Sequence, residues 1–234
     1  MNYALTRMSS LILAFSVLVF SACKKDKDPG KANVMVVHAS PDAPGVDLLV
    51  DNVKINSSAL TFPNNTGYVS VNEGTRNIKV NAAGTSTSVI NADVPFTANK
   101  NYSVFAYKAL AQIGAIVVED NLATPAAGKA HIRFFHLSPD APGVDVGILN
   151  GSTFTPVFSN RSFETQTSAA ANAAFTPVDA GTYTFQVRVA GTTTAALTIP
   201  GVTLEAGKIY TVFARGFLSG SGDQALNAQV IVNK

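Results

Sequence analysis

Cysteine, tryptophan and histidine are scarce in this chain, and each scarcity removes a class of function. One Cys in 234 residues allows neither an internal disulfide nor a cysteine-based zinc cluster. The three histidines, His38, His131 and His136, leave a zinc hydrolase almost no ligands. There is no Trp, so the aromatic platforms usual in carbohydrate binding would fall to Tyr or Phe. Only 14% of the residues are charged, with 17 Lys+Arg against 15 Asp+Glu. That balance, without a long basic run, excludes a protein that tracks a nucleic-acid backbone. Disorder is excluded in turn by a 47% hydrophobic content and a net charge of only +2. The length suits one large domain or two small ones.

Part of the hydrophobicity is concentrated at the start. Arg7 precedes an apolar run over 11–20 that ends at the small residues Ser21 and Ala22, the pattern of a secretory signal peptide. The run is too short to span a bilayer as a helix, which needs roughly 20 residues. Cys23 follows at once, and Phe20-Ser21-Ala22-Cys23 resembles the lipobox of bacterial lipoproteins. The resemblance implies that 1–22 are removed and that Cys23 is lipidated as the new first residue. Phe20 departs from the Leu usual three residues before the Cys, and an ordinary signal peptide with a chance Cys is the alternative. Acyl chains contribute about 0.8 kcal/mol per buried CH2, so they would hold the protein on a membrane. Lys24-Lys25-Asp26-Lys27-Asp28-Pro29-Gly30-Lys31 then reads as a polar tether. Lys24 directly after the Cys resembles lipoproteins that proceed to the outer membrane. The Lys/Asp-rich start is similar to surface-export tethers, with a solvated spacer as the plain alternative.

The rest of the chain repeats itself. His38-Ala39-Ser40-Pro41-Asp42-Ala43-Pro44-Gly45-Val46-Asp47 returns as His136-Leu137-Ser138-Pro139-Asp140-Ala141-Pro142-Gly143-Val144-Asp145, nine of ten positions identical at an offset of 98. Further on, Tyr102-Ser103-Val104-Phe105-Ala106 returns as Tyr210-Thr211-Val212-Phe213-Ala214 at an offset of 108. The second copy therefore carries extra residues, which fall between 150 and 175. The division expected is a signal peptide 1–22, a lipidated Cys and tether 23–32, a first β-sandwich 33–120, a linker 121–129 and a second β-sandwich 130–234. The extra stretch, 151–172, is the expected seat of individual specificity, since loops at sandwich ends carry binding residues. A tolerated surface insertion is the alternative.

Each copy reads as strands. The segments 34–37, 46–50, 68–71, 77–80, 88–94, 102–108 and 115–118 are β-branched or aromatic and separated by Gly, Pro, Asn and Ser clusters. Such spacing is the signature of an all-β sandwich or barrel. The one helix-leaning stretch is 168–174. Leu204-Glu205-Ala206-Gly207-Lys208-Ile209-Tyr210 resembles the tyrosine corner of Greek-key sandwiches, in which the Tyr hydroxyl reaches back to the preceding turn. The first copy places Asn99 where Gly207 stands, ahead of Tyr102, and Asn is the next-best residue for a positive-φ turn. Tyr102 and Tyr210 are thus assigned to structure.

The motif His-x-Ser-Pro-Asp-Ala-Pro-Gly-Val-Asp resembles a bacterial family, domain of unknown function 4397, common in secreted and envelope proteins and often in tandem. The resemblance covers both copies and implies an immunoglobulin-like or transthyretin-like Greek-key β-sandwich, with no established activity. Physically the motif reads as a rigid corner. Pro41 and Pro139 preset φ, and Ser40, Asp42, Ser138 and Asp140 can cap free backbone amides. Pro44 and Pro142 stop a helix or central strand, and Gly45 frees the backbone to enter the next strand. His38 and His136 lie in phase with core residues, so each is expected to hydrogen-bond within the turn, to Asp42 or Asp47 and to Asp140 or Asp145.

Chemistry is the weaker reading of the same residues. Ser, His and Asp are the types of an acyl-transfer triad, but a Ser before Pro in a tight turn has no Gly-rich elbow and no oxyanion hole. Asp42, Asp47 and Asp51 offer oxygen ligands to calcium, yet the acidic density is low and Asp51 has no acidic counterpart in the second copy. The expectation is a lipid-anchored envelope protein, a non-enzymatic structural or binding module with no metal or cofactor. Its partners would be the membrane through the lipid, and an envelope protein or a glycan. The rivals are a carbohydrate-binding accessory lipoprotein and a secreted hydrolase using the His/Ser/Asp signature.

Overall fold

A computed structural model describes residues 28–234; Cys23 and the apolar run before it lie outside the described residues. The chain is all-β and forms two sandwich-like halves with no closed barrel. The first half runs β1 (Lys31–His38), β2 (Val46–Val50), β3 (Val53–Lys54), β4 (Asn65–Asn72), β5 (Gly74–Ala82), β6 (Ser88–Phe96), β7 (Asn101–Tyr107) and β8 (Gly114–Glu119). The second runs β9 (Lys129–His136), β10 (Val144–Asn150), β11 (Thr153–Arg161), α1 (Gln166–Ala171), β12 (Thr176–Asp179), β13 (Gly181–Val189), β14 (Ala195–Leu204), β15 (Ile209–Arg215) and β16 (Asn227–Val232).

The halves share one strand order. The sheets are β4-β1-β7-β8 and β3-β2-β5-β6 in the first, and β12-β9-β15-β16 and β11-β10-β13-β14 in the second. Within each half the first strand pairs in parallel with the strand carrying the corner tyrosine, β1 with β7 and β9 with β15. Every other named strand pair is antiparallel.

Four sheets stack in series, because three buried clusters separate them. Val34, Val36, Leu48, Val80 and Val104 belong to the core of the first half, and Ile132, Phe134, Val146, Val187 and Phe185 to that of the second. A third cluster joins Met35, Val37, Phe105, Tyr107 and Ile116 of one half to Phe135, Leu137, Phe213 and Ile231 of the other. β1 and β9 are therefore buried on both faces. Such a strand reads as an unbroken apolar run rather than an alternation, which is how Val34-Met35-Val36-Val37 reads.

The halves differ at β3 and β11. β11 pairs with β10 along its length, whereas β3 is two residues long. There the side chain of Asn56 replaces strand backbone: its Oδ1 accepts from Leu48 N at 2.8 Å and its Nδ2 donates to Val46 O at 3.0 Å.

The extra stretch 151–172 is not a free loop at a sandwich end. It supplies β11 and then α1, whose cap is Thr165, accepting from Ser168 N at 3.1 Å while Thr165 N donates to Ser168 Oγ at 2.8 Å. The helix buries Ala169 completely in the central cluster. Gln166 acts like a strand residue against the edge of β8: its Oε1 accepts from Val117 N at 2.9 Å and its Nε2 donates to Val117 O at 2.8 Å. The insertion fastens one half to the other, as a strand and a helix rather than the loop at a sandwich end that was expected.

Candidate functional site

The two signature turns occupy equivalent corners, after β1 and after β9, and make the same bonds. His38 is fully buried and its Nε2 lies 2.9 Å from Pro44 O; His136, also fully buried, has its Nε2 2.9 Å from Pro142 O. The proline carbonyl, not either aspartate, is the partner of each imidazole. That corrects the expected His–Asp pairing, and it follows from the turn folding its own carbonyl over the strand end. Burial holds both imidazoles below their ordinary value of 6.5, opposed more weakly by these backbone bonds. Ser40 and Ser138 are also fully buried. Ser138 Oγ donates to Gly216 O at 2.6 Å, and Ser40 Oγ has no partner. Pro41 and Pro139 follow them at the turn, and at Gly45 a Cβ would crowd the Ala59 Cβ at 3.2 Å.

The aspartates reach outward to other loops. Asp42 Oδ1 accepts from Leu110 N at 2.8 Å and Asp140 Oδ1 from Leu218 N at 2.7 Å, holding the turns that follow β7 and β15. Asp47 Oδ2 accepts from Gly84 N at 3.0 Å and Asp145 Oδ2 from Gly191 N at 3.0 Å, holding the β5–β6 and β13–β14 hairpins. Asp47 also pairs with Lys54 at 2.7 Å, and Asp145 Oδ1 accepts from Asn160 N at 2.7 Å. These bonds depress both carboxyls, Asp47 chiefly through Lys54 and Asp145 chiefly through the Asn160 amide. Each signature is thus a staple that ties three loops together at one end of its sandwich. Asp51 turns instead to Asn77 N and Arg76. Among the described residues no three His, Cys, Asp or Glu side chains gather as a metal site.

The tyrosines expected as corners sit in that geometry. Tyr102 Oη accepts from Thr97 N at 3.2 Å and Tyr210 Oη from Glu205 N at 3.0 Å. The turns before them hold Asn99 at φ 63° and Gly207 at φ 80°, both left-handed. Of the other tyrosines, Tyr107 is buried against Phe163, Tyr68 bonds Asp120 and Asn233, and Tyr183 donates to Asp179 O at 2.9 Å.

A polar cluster between the halves was not anticipated. Arg133 and Asp120, both wholly buried, pair at 2.7 Å across the central layer. Tyr68 and Ser103 donate to Asp120 Oδ2 at 2.5 and 2.7 Å. Arg133 Nε donates to Thr211 Oγ1 at 2.8 Å, and Thr211 Oγ1 donates to Asn233 Oδ1 at 2.6 Å. The guanidinium lies over Phe175 at 4.4 Å and Phe135 at 5.0 Å. The arrangement is quasi-symmetric: Ser103–Asp120 repeats as Thr211–Asn233, while Arg133 stands where the first half has Met35. The available signal was the charge itself, an Arg inside the apolar run Ile132-Arg133-Phe134-Phe135.

Further contacts between the halves have the same quasi-symmetric character. Tyr107 of the first half stacks on Phe163 at 5.5 Å, and Arg215 of the second covers Phe62 at 5.3 Å. Phe62 and Phe163 flank His38 and His136, each at 6.2 Å. Both signature corners therefore lie at one end of the stack. Gly30, the linker and the C-terminus lie at the other, where Lys234 Nζ donates to Leu122 O at 3.0 Å.

No curated protein matches the chain. Residues 32–147, which run from β1 through the first half and the second signature turn into β10, carry a Domain of unknown function (DUF4397).

Proposed function

We propose that the chain is a lipid-anchored cell-envelope protein whose two sandwiches form a non-catalytic binding or structural module, held on the outer membrane through Cys23. The commitment of the signature side chains carries the non-catalytic part. Both His and both Ser are fully buried, and all four Asp carboxylates accept backbone amides of neighbouring loops. A triad needs an exposed nucleophile beside its base, and neither Ser40 nor Ser138 is one. Glycan recognition has little to draw on, since five tyrosine hydroxyls are bonded internally or buried with their rings. The second half continues the first in sequence and strand order, which supports reading it as a second copy of the same domain.

The layout suits presentation. A tether entering at Gly30 leaves the signature corners at the far end of the stack. There the stapled turns expose Leu110 and Leu218, at 37% and 55%, as a matched pair of apolar tips.

The test is production of the full chain in a bacterial envelope, with intact mass and membrane fractionation. The expected product lacks 1–22, carries acyl mass on Cys23 and sediments with membranes, and Cys23→Ser loses the acyl mass. An unmodified Cys23 in the wild type would overturn the anchor. For the non-catalytic part, His38→Gln with His136→Gln should lower the melting temperature; a loss of turnover on any ester or glycoside panel at unchanged melting temperature would overturn it.

A further inference from the structure

The two sandwiches, alike in strand order, differ in how well they are filled. In the first, a cavity of about 400 Å³ opens between the edge strands β6 and β8, walled by Ile78, Val80, Ile90, Val94, Val104 and Val117. In the second, the equivalent space is about 40 Å³. The register explains the difference. Ile78 pairs with Ala92 on β5 and β6, and the matching pair on β13 and β14 is Phe185 with Ile199. Phe134 stands where β1 has Val36, and Phe158 on β11 closes the space further. The fold therefore does not require the cavity: its own second half fills it with side chains.

We infer that the first-half cavity houses an acyl chain carried on Cys23, an inference that rests on the lipoprotein reading above. The size falls in the range of about 300–1,000 Å³ typical of ligand sites. Ala, Val and Ile make up nearly all of the wall, with no aromatic ring to stack on a planar ligand. The one ionisable lining residue is Asp93, an acid already accepting from Asn77 Nδ2 at 2.8 Å. A free fatty acid would bring a second carboxylate with no cation to meet it, whereas an ester- or amide-linked acyl chain is uncharged at its carbonyl.

Connectivity selects the source. Gly30 is fixed beside Glu73, donating to its Oε1 at 3.0 Å and accepting from its N at 2.8 Å. The next residue, Gly74, pairs with Phe96, the neighbour of Pro95 on the cavity wall. The chain thus enters the fold near the Pro95 end of the cavity wall. Six residues lie between Cys23 and Gly30, and over those seven steps an extended chain covers about 3.3–3.6 Å each, a reach of about 24 Å. From Pro95 back to Ile90 is about 17 Å along β6 at 3.4 Å per residue. A chain tethered this closely reaches a high effective concentration at the site, which an acyl chain diffusing in the bilayer lacks.

Photo-crosslinking of the full chain tests this. Cells are fed a fatty acid bearing a diazirine, irradiated, and the purified protein is digested for mass spectrometry. The expected result is a crosslink from the Cys23 peptide to peptides containing 90–95 or 104–117. It should fall to background in the variant Ile78→Phe/Ala92→Ile, which copies the filled second half, or in Ala92→Ile alone should the double variant fold poorly. An acylated Cys23 that crosslinks only to bilayer lipid overturns the inference. So do wall peptides crosslinked to phospholipid or free fatty acid instead. Absence of acyl mass on Cys23 marks failure of the lipoprotein reading itself, and is recorded separately by the intact mass.

Discussion

The buried pair Arg133–Asp120 gives the sharpest test of how the halves are joined. Arg133→Met removes the cation paired with Asp120, which keeps two hydroxyl donors, Tyr68 and Ser103. Breaking one side of a buried pair costs about 3–5 kcal/mol, and the surviving donors place this variant near the lower figure. Asp120→Asn leaves a guanidinium that cannot shed its proton, cushioned by Thr211, Ser103 and two aromatic faces. Its cost should lie nearer the upper figure. At about 2–4 °C per kcal/mol for a chain of this size, the melting temperature drops by roughly 6–20 °C in either single variant.

The double variant Arg133→Met/Asp120→Asn places Met and Asn where the other half already has Met35 and Asn233. Replacing both charges by residues that fit is near neutral or stabilising for buried pairs. Urea unfolding of the four proteins closes a double-mutant cycle, and its coupling energy should be about 3 kcal/mol or more. Singles that each cost under about 1 kcal/mol, the value of an exposed pair, would refute the reasoning. So would a double variant as unstable as the two losses added.

Two further outcomes follow from the staples and a third from the insertion. Burial depresses both imidazoles below 6.5, so the unfolded chain binds protons there that the native chain refuses. Stability should then fall as pH drops through 6.5 and level off once the native histidines protonate. Urea midpoints measured from pH 7.5 to 5 should show that fall, and His38→Gln with His136→Gln should flatten it. Asp145→Ala removes the acceptor for Asn160 N and Gly191 N; at about 1 kcal/mol per bond it should cost about 2 kcal/mol. Hydrogen exchange at Gly191 should quicken with it. Gln166→Ala removes both bonds to Val117, so exchange at the Val117 amide should rise while the cores of both halves keep their protection.

Local patterns made much of the fold legible. The segment 46–50 coincides with β2, and the other expected strands of the first half lie largely inside observed ones. The corner tyrosines were readable because Asn99 and Gly207 mark the left-handed turn before each. The signature was readable as a corner but not as a staple. Its aspartates act on amides at Gly84 and Leu110, whose positions depend on where the other strands return. β3 was missed because Asn56 does with a side chain what a strand does with backbone. Within the insertion 151–172 the helix-leaning stretch 168–174 overlaps α1, but β11 and the docking of the helix were not legible, since Ser, Thr and Ala suit a loop as well. What fixes it is Val117, a residue of the other half.

The joining of the halves was half-visible. An unalternating strand with a lone Arg in it signals a second buried face and a partner for the charge, but sequence cannot say which acid answers. The geometry shows why the answer matters. The two central faces are nearly interchangeable, each offering a Phe at 105 or 213 and a hydroxyl at 103 or 211. The charges break that equivalence. Two second halves meeting would bury Arg133 against Asn233 with no anion, and two first halves would bury Asp120 near Met35 with no cation. An uncompensated buried charge costs several kcal/mol, and specificity rests on such penalties against the wrong partner. Only a first half against a second satisfies both, so one ion pair makes this surface select the unlike half over a copy of itself.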